Sequence, residues 1–114
     1  MMRVLREEAL DLFGKWQTEK SLLRCDFSVR RVVARLNGRV VDLSDDRVQV
    51  LSDDTSQELL LPLPASLDFG YGEPRDFPEE GEEYERGLVI LFPAVGSEEA
   101  DIISFSEMKA TSEF

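Results

Sequence analysis

The side chains of this sequence that could do chemistry are carboxylates, arginines, serines and tyrosines. Histidine is absent, and Cys25 is the only cysteine. Without an imidazole there can be no Ser-His-Asp or Cys-His nucleophile, and a single cysteine offers neither an internal disulfide nor the paired ligands typical of zinc. An enzyme built from this sequence would have to use carboxylates, Ser, Tyr or Arg alone. The composition therefore favours a non-enzymatic protein with no metal and no cofactor.

The most distinctive polar residues lie in two short patterns near the middle of the chain. Arg31 and Arg35 belong to a basic strip of six arginines between residues 24 and 47, and six residues separate Arg35 from Asp42 and the nearby Ser44. The strip could bind an anion, or its arginines could be exposed strand residues that balance acidic neighbours. Asp and Ser at this spacing are also typical of a plain turn, because their side chains hydrogen-bond to nearby backbone.

The same patterns resemble two motifs of PilZ domains, which are small β-barrels that bind cyclic di-GMP. Arg31-Val-Val-Ala-Arg35 resembles the Arg-x-x-x-Arg motif, and Asp42-Leu-Ser44 resembles the start of the Asp-x-Ser-x-x-Gly motif. The resemblance implies that these two arginines, the aspartate and the serine would grip the dinucleotide. Arg47 stands where that motif has its glycine, and we predict no binding of cyclic di-GMP at micromolar concentration. A divergent PilZ-like nucleotide-binding barrel is thus an alternative interpretation.

Length and charge bound the class of protein. The 114 residues suffice for one domain, spanning 1–114, with one core. The net charge is −11 and is uneven, since residues 48–114 hold three Lys or Arg against 16 Asp or Glu. A field of this sign repels phosphate backbones, so we predict no bulk binding of nucleic acid. No apolar run is long enough to span a bilayer, and charges interrupt the first residues, which predicts a cytoplasmic protein without membrane contact.

An amphipathic helix is predicted over residues 2–20. Apolar residues recur there at intervals of three and four, which places Leu5, Ala9, Leu12, Phe13 and Trp16 on one stripe. We expect this stripe to be buried, with Trp16 covering one of the two continuous apolar runs farther along the chain, Leu59–Leu63 or Leu88–Phe92. Such runs have two apolar faces and need a cover on each.

Beyond Lys20 the apolar residues alternate, which predicts an antiparallel β meander over 22–63. Asn37-Gly38 is the strongest short-range signal for a two-residue hairpin turn. Further strands are predicted at 88–92 and 101–105, with a tail at 106–114. The expected fold is α+β, mainly β, with one N-terminal helix packed on a small, strongly bent antiparallel sheet or barrel of five to six strands.

A long irregular loop is predicted over 62–87, because it holds four of the five prolines and four of the seven glycines. It also contains aromatic residues, which disordered linkers lack. We expect Phe69 or Tyr71 to pack against the sheet and the acidic run 79–85 to face solvent. The loop could be a binding site for a basic partner, or it could plug the mouth of a barrel.

These observations leave two classes of function. The first is a small acidic binding or regulatory module that binds a small ligand or a partner protein, for which a basic protein or peptide surface is the candidate. The second is a small enzyme that uses carboxylates without His or metal. The first is favoured because no convincing catalytic set is present. The candidate ligand or partner residues are Phe69, Tyr71, Arg31, Arg35, Asp42 and Ser44, and self-association into a homo-oligomer stays open.

Overall fold

A computed structural model describes residues 2–29, 32–52, 57–65, 67–73, 84–92 and 101–108. In these ranges the chain forms one helix and eight strands. In chain order they are β1 (Met2–Val4), α1 (Arg6–Glu19), β2 (Leu23–Val29), β3 (Val32–Ser44), β4 (Arg47–Ser52), β5 (Glu58–Pro62), β6 (Asp68–Gly72), β7 (Tyr84–Phe92) and β8 (Asp101–Met108). The fold is therefore α+β and mostly β, as predicted, but the predicted number of strands was too low.

The eight strands form a single antiparallel sheet in the order β1-β6-β7-β8-β2-β3-β4-β5. The sheet is not closed into a barrel, so β1 and β5 are its two edge strands. Strands β2 to β5 are successive neighbours and form a meander. The other half of the sheet joins β7 and β8 to β6 and to the first strand of the chain.

The helix begins at Arg6, four residues later than predicted, because Met2–Val4 pairs with β6. Leu5 has extended backbone angles, and its N–H donates to Glu8 Oε1 at 3.1 Å, which caps the start of α1. The helix ends where Lys20 adopts a left-handed conformation with φ of 54°. The N–H of Ser21 then donates to the carbonyl of Trp16 at 3.0 Å.

The hydrophobic core lies between α1 and one face of the sheet, called here the inner face. Ala9, Phe13 and Trp16 are fully buried, so the predicted burial of Trp16 is confirmed. Phe13 packs edge-to-face on Trp16 and on Phe105 of β8, with ring centroids 5.7 and 5.1 Å apart. The strands nearest to the helix are β3 and β6. Leu61, Leu63, Leu88 and Ile90 of the two apolar runs that we expected Trp16 to cover belong to the same buried core as Trp16. Leu5, by contrast, is exposed.

The prediction of a hairpin turn at Asn37-Gly38 is wrong. Both residues lie within β3, where Gly38 pairs with Leu23 of β2 and with Ser52 of β4. A Cβ atom on Gly38 would lie 2.4 Å from the carbonyl oxygen of Leu51, so this glycine is required by a close backbone approach and not by turn geometry. Strand β3 is followed by a turn at Asp45 and Asp46 instead. Its register with β2 pairs Val29 with Val32, and residues 30–31 between them lie outside the described residues.

The predicted irregular loop at 62–87 contains regular structure. Strand β6 (Asp68–Gly72) lies within it, between β1 and β7, and β7 begins at Tyr84 rather than at residue 88. Residues 74–83, including most of the acidic run, lie outside the described residues. The last strand likewise continues to Met108, beyond the predicted end at residue 105. The glycine and aromatic residues of β6 did not indicate a strand in the sequence. The strand forms because β1 and β7 provide backbone hydrogen-bonding groups on its two sides.

Candidate functional site

The arginines of the predicted anion-binding strip do not converge on an open site in the described part of the chain. Arg35 is on the outer face of the sheet, where its Nε donates to Asp26 Oδ1 at 2.8 Å. Asp26 also accepts from Arg24 Nε at 3.1 Å. One carboxylate thus lies between two guanidinium groups, which is the arrangement expected of strand arginines that balance an acidic neighbour. Arg31 lies outside the described residues.

The Asp42 and Ser44 side chains form local contacts near the turn between β3 and β4. Asp42 Oδ2 is 3.6 Å from a guanidinium nitrogen of Arg47, and Ser44 Oγ donates to Asp46 Oδ1 at 2.7 Å. Asp42 and Arg35 are seven residues apart on one strand, a separation of about 20 Å at the usual rise per residue. The Asp and Ser residues of this pattern therefore belong to the end of β3 and the turn at Asp45 and Asp46. Arg35 lies on the same strand but far from Asp42 and Ser44, so these side chains do not form one nucleotide site.

Phe69 and Tyr71 occupy alternate positions of β6 and both point to the inner face. Phe69 pairs with Ile90 and is part of the buried core, whereas Tyr71 pairs with Leu88 and is only partly buried. The two aromatic residues that the sequence put together as partner candidates thus have different surroundings. Phe69 contributes to stability, and Tyr71 is accessible.

Tyr71 borders a concave surface on the inner face with both apolar and charged walls, called here the helix groove. The groove has a volume of about 380 Å³ and lies between α1 and strands β1, β6 and β7. Its lining consists of Met2, Val4, Glu8, Asp11, Leu12, Lys15, Tyr71 and Leu88. It exists because α1 packs mainly against β3 and makes fewer contacts with β6.

The groove combines an apolar floor with an acidic rim. Leu88 is fully buried, while Val4 and Leu12 are half-buried, so the floor is made of aliphatic side chains. Glu8, Asp11 and Lys15 follow one another at intervals of three and four along one helix face, giving two carboxylates and one ammonium group. The whole chain has a net charge of −11, which adds to the negative field at this rim. Such a site suits an apolar group that carries a positive charge beside it.

A partly buried ion pair near the C-terminal end of α1 was not predicted from the sequence. Arg86 Nε lies 2.5 Å from Glu107 Oε2, and a second guanidinium nitrogen lies 3.2 Å from Glu107 Oε1, which also accepts from Ser21 Oγ at 3.3 Å. The hydrogen bond from Arg86 to Glu107 is the largest contribution that raises the pKa of Arg86. Nothing in the sequence marks these residues, because 21 positions separate them and only strand pairing makes them neighbours.

Arg6 is a second missed residue, and it works at the other end of the helix. Its guanidinium donates to the carbonyls of Asp45, Leu63 and Pro64, at 2.5 Å for Leu63 and 3.0 Å for Pro64. These carbonyls lie in the β3–β4 turn and just after β5. Arg6 therefore ties the start of α1 to the half of the sheet opposite the helix groove.

Other chemistry is limited in the part of the chain that the structure describes. Burial raises the pKa of the Cys25 thiol to about 12, and the nearby Asp26 carboxylate adds to that rise, so the reactive thiolate is disfavoured. No cluster of three or more His, Cys, Asp or Glu residues suitable for a metal ion is found among the described residues. Within the same residues, no helix is long and apolar enough to cross a membrane.

No protein-family model, curated protein or solved structure matches this chain. The function is therefore inferred from the geometry of the helix groove and of the surfaces around it.

Proposed function

We propose that this protein is a non-enzymatic binding module, and that the helix groove receives an apolar side chain from a basic segment of a partner protein. The observation that carries the proposal is the composition of the groove, an aliphatic floor beside Tyr71 with Glu8 and Asp11 on its helical wall. Apolar walls with a few placed polar groups are the usual composition of ligand sites. A partly exposed tyrosine beside them is typical of interfaces, because its ring is large and its hydroxyl can hydrogen-bond.

Size supports a side chain rather than a large ligand. A volume of about 380 Å³ is near the lower limit of small-molecule pockets, which run from roughly 300 to 1,000 Å³. The groove has room for an aliphatic side chain and for part of the segment that carries it. The groove is also open along its length, so the rest of a partner segment could continue past it over the exposed residues Met2 and Leu5.

Charge supports a basic partner. Asp11 is exposed and makes no ion pair or hydrogen bond among the contacts of the described residues, whereas Glu8 already accepts the N–H of Leu5. A lysine or arginine of the partner would find Asp11 available, and the negative field of the chain would accelerate the encounter. An acidic partner would meet the same field as a repulsion.

The test uses two peptides of equal length, Ac-Lys-Lys-Leu-Val-Lys-Lys-NH2 and Ac-Glu-Glu-Leu-Val-Glu-Glu-NH2, titrated into the isotope-labelled full chain and followed by NMR. We expect saturable shifts for the basic peptide at amides of α1 and β6, and none for the acidic peptide. Asp11→Lys should weaken binding by about tenfold, because it replaces one attraction by a repulsion. Equal binding of both peptides, or no saturation up to about 1 mM, would overturn the proposal.

Glu58→Lys is the matched control. It makes the same change of charge at an exposed position, but on β5, the opposite edge of the sheet. It should leave the affinity within about twofold, because Glu58 does not line the groove and an exposed charge outside a contact contributes little. If the two variants weakened binding equally, the effect would come from net charge and not from the groove.

A further inference from the structure

Strand β1 is an open edge of the sheet with a hollow on each of its two faces. On the inner face the helix groove is lined by Met2 and Val4. On the outer face a second concave region, called here the outer hollow, has a volume of about 440 Å³ and is also bordered by Met2 and Arg3 of β1. No strand in the described part of the chain pairs with the far side of β1. An edge with such neighbours offers both backbone hydrogen-bonding groups and places for side chains.

The outer hollow exists because Gly70 contributes no side chain at that position. In the register of the sheet, Arg3 pairs with Gly70, and Gly70 pairs with Val89, so the outer face has a gap between Arg3 and Val89. The floor beside this gap is apolar, with Leu91 and Ile102 both partly exposed. An ion pair closes one side, since an Arg3 guanidinium nitrogen lies 2.6 Å from Asp68 Oδ1.

We propose that an extended segment of the basic partner adds to β1 as a ninth strand and places neighbouring side chains into the two hollows. This inference rests on the proposed function and deepens it, since it states how the partner's backbone is held. Successive residues of a strand point to opposite faces. A residue beside Met2 or Val4 therefore points to the helix groove, and the next residue, beside Arg3, points to the outer hollow. Addition of a strand to an open edge combines backbone hydrogen bonds for affinity with pockets for specificity.

The chemistry of the edge defines the segment. Both hollows have aliphatic floors, so two adjacent residues should be apolar. Glu8 and Asp11 border the edge on the inner face, so the residues that flank the apolar pair should be basic. On the outer face Asp68 is already paired with Arg3. The Leu-Val pair flanked by lysines in the basic peptide has this pattern.

A second copy of the chain fits the edge less well. If β1 paired with another β1 about a two-fold axis centred on the strand, the two Arg3 residues would lie directly opposite each other. Like charges in that position destabilise a strand pair. Each copy also has a net charge of −11, which opposes self-association. In a basic partner the residue opposite Arg3 is apolar, and the partner's net charge is opposite in sign to that of this chain.

Backbone methylation of the basic peptide separates strand addition from side-chain docking. In one version the odd-numbered residues of the peptide carry N-methyl groups, and in the other the even-numbered residues carry them. Only one of the two versions therefore blocks the amides that would face β1. We expect one version to lose binding and the other to bind within about threefold of the parent peptide, because alternate amides point to opposite sides of a strand. Equal tolerance of both versions would overturn strand addition and leave the proposed function standing, whereas failure of the unmethylated peptide would overturn both.

Hydrogen exchange identifies the edge that is used. Binding of the parent peptide should slow amide exchange in Met2–Val4 and leave Glu58–Pro62 of β5, the other edge, unchanged. Protection of β5 instead would overturn the inference. Sedimentation of the free chain should show a monomer, since a dimer that the peptide dissociates would mean that a second copy occupies β1.

The outer hollow is tested by filling it. Gly70→Val should weaken binding of the basic peptide by about tenfold, because the new side chain takes the space of the partner's residue. Ser104→Val is the matched control, since it adds apolar bulk in the same row and on the same face, two strands away on β8. Circular dichroism of both variants checks that the sheet is intact. Unchanged affinity in Gly70→Val with intact structure would show that no partner side chain enters this hollow.

Discussion

The helix meets the two halves of the sheet in different ways. On the side of β3, β4 and β5, called here the closed side, polar groups of the helix end regions bridge to the sheet: Gln17 Nε2 donates to the carbonyl of Val41 at 3.3 Å, and Arg39 Nε donates to the carbonyl of Lys20 at 2.8 Å. Arg6 adds its three carbonyl contacts at the other end. On the side of β1, β6 and β7, called here the open side, the helix groove separates the elements.

The difference shows how one helix can serve stability and binding at once. Its most deeply buried residues hold the core, and its contacts on the closed side fix its position. The face toward the open side carries Glu8, Asp11 and Lys15 and leaves apolar groups of β1 and β6 accessible. A rigid element with one partly uncovered side is a suitable place for a binding site.

The largest expected effect is at Trp16, whose side chain is fully buried in the core between the helix and the sheet. Trp16→Ala should lower the free energy of unfolding by about 3–5 kcal/mol, the usual range for a buried aromatic residue. Trp16→Phe is the control. The indole Nε1 has no hydrogen-bond partner among the described residues, so the phenyl ring should retain most of the stability. Urea denaturation measures both, and a loss below about 1 kcal/mol in Trp16→Ala would contradict the packing of α1 on the sheet.

Within the open side, Phe69 is buried in the core and Tyr71 is accessible, so substitutions of the two should have different effects. Phe69→Ser should cost about 3–5 kcal/mol of stability, because Phe69 is a core residue with only 3% of its surface exposed. Tyr71→Ser should cost less than half as much and should weaken binding of the basic peptide, because Tyr71 lines the helix groove. Equal losses of stability in the two variants would mean that Tyr71 is a structural residue.

Arg6 and Arg3 are close together in the sequence but contact different sides of the sheet. Variants of these two arginines therefore compare the closed side with the open side directly. Arg6→Met should cost about 1.5–3 kcal/mol, since it removes charged hydrogen bonds to three carbonyls and leaves its aliphatic stem in place. Arg3→Met should cost less than about 1 kcal/mol, because its pair with Asp68 is exposed. Hydrogen exchange in β4 and β5 should rise in Arg6→Met only, and a rise in both variants would show that the closed side does not depend on Arg6.

Cys25 lies on β2, in the middle of the sheet between the open side and the closed side. Its pKa is raised from 9.0 to about 12 in the folded state, so the folded chain keeps the thiol proton while the unfolded chain releases it. The stability that the protonated Cys25 thiol contributes is fully present below pH 9.0. It falls by about 1.4 kcal/mol per pH unit as the pH rises from 9.0 toward about 12. Cys25→Ala should remove this part of the pH dependence in urea denaturation. Identical slopes of stability against pH for the two proteins would show that the thiol is accessible to water.

The smallest expected effect concerns the outer face of β3. Calorimetry with cyclic di-GMP should give no saturable heat at micromolar concentration, because β3 separates Arg35 from Asp42 and Ser44. Should such heat be observed, and should it disappear in Arg31→Ala or Arg35→Ala, the resemblance to PilZ domains would have to be taken as a functional one.

Local periodicity was enough to predict part of this fold. The spacing of Ala9, Phe13 and Trp16 identified the helix and its buried face, because a helical stripe is defined by residues within a few turns of one another. The alternation after Lys20 likewise indicated an antiparallel sheet. Composition alone also excluded histidine chemistry and a disulfide. These properties depend on near neighbours in the chain or on residue types, which the sequence contains directly.

Tertiary structure decided the features that depend on distant neighbours. Strands β1 and β6 are short and contain residues that could equally form a helix or a loop, and they are strands because each completes the hydrogen bonds of the other. Gly38 is needed for the approach of β4, which its Asn-Gly context cannot reveal. The helix groove and the outer hollow arise from where α1 lies and from the position of Gly70 in the sheet. Residues far apart in the sequence build both hollows, so only the folded chain brings them together.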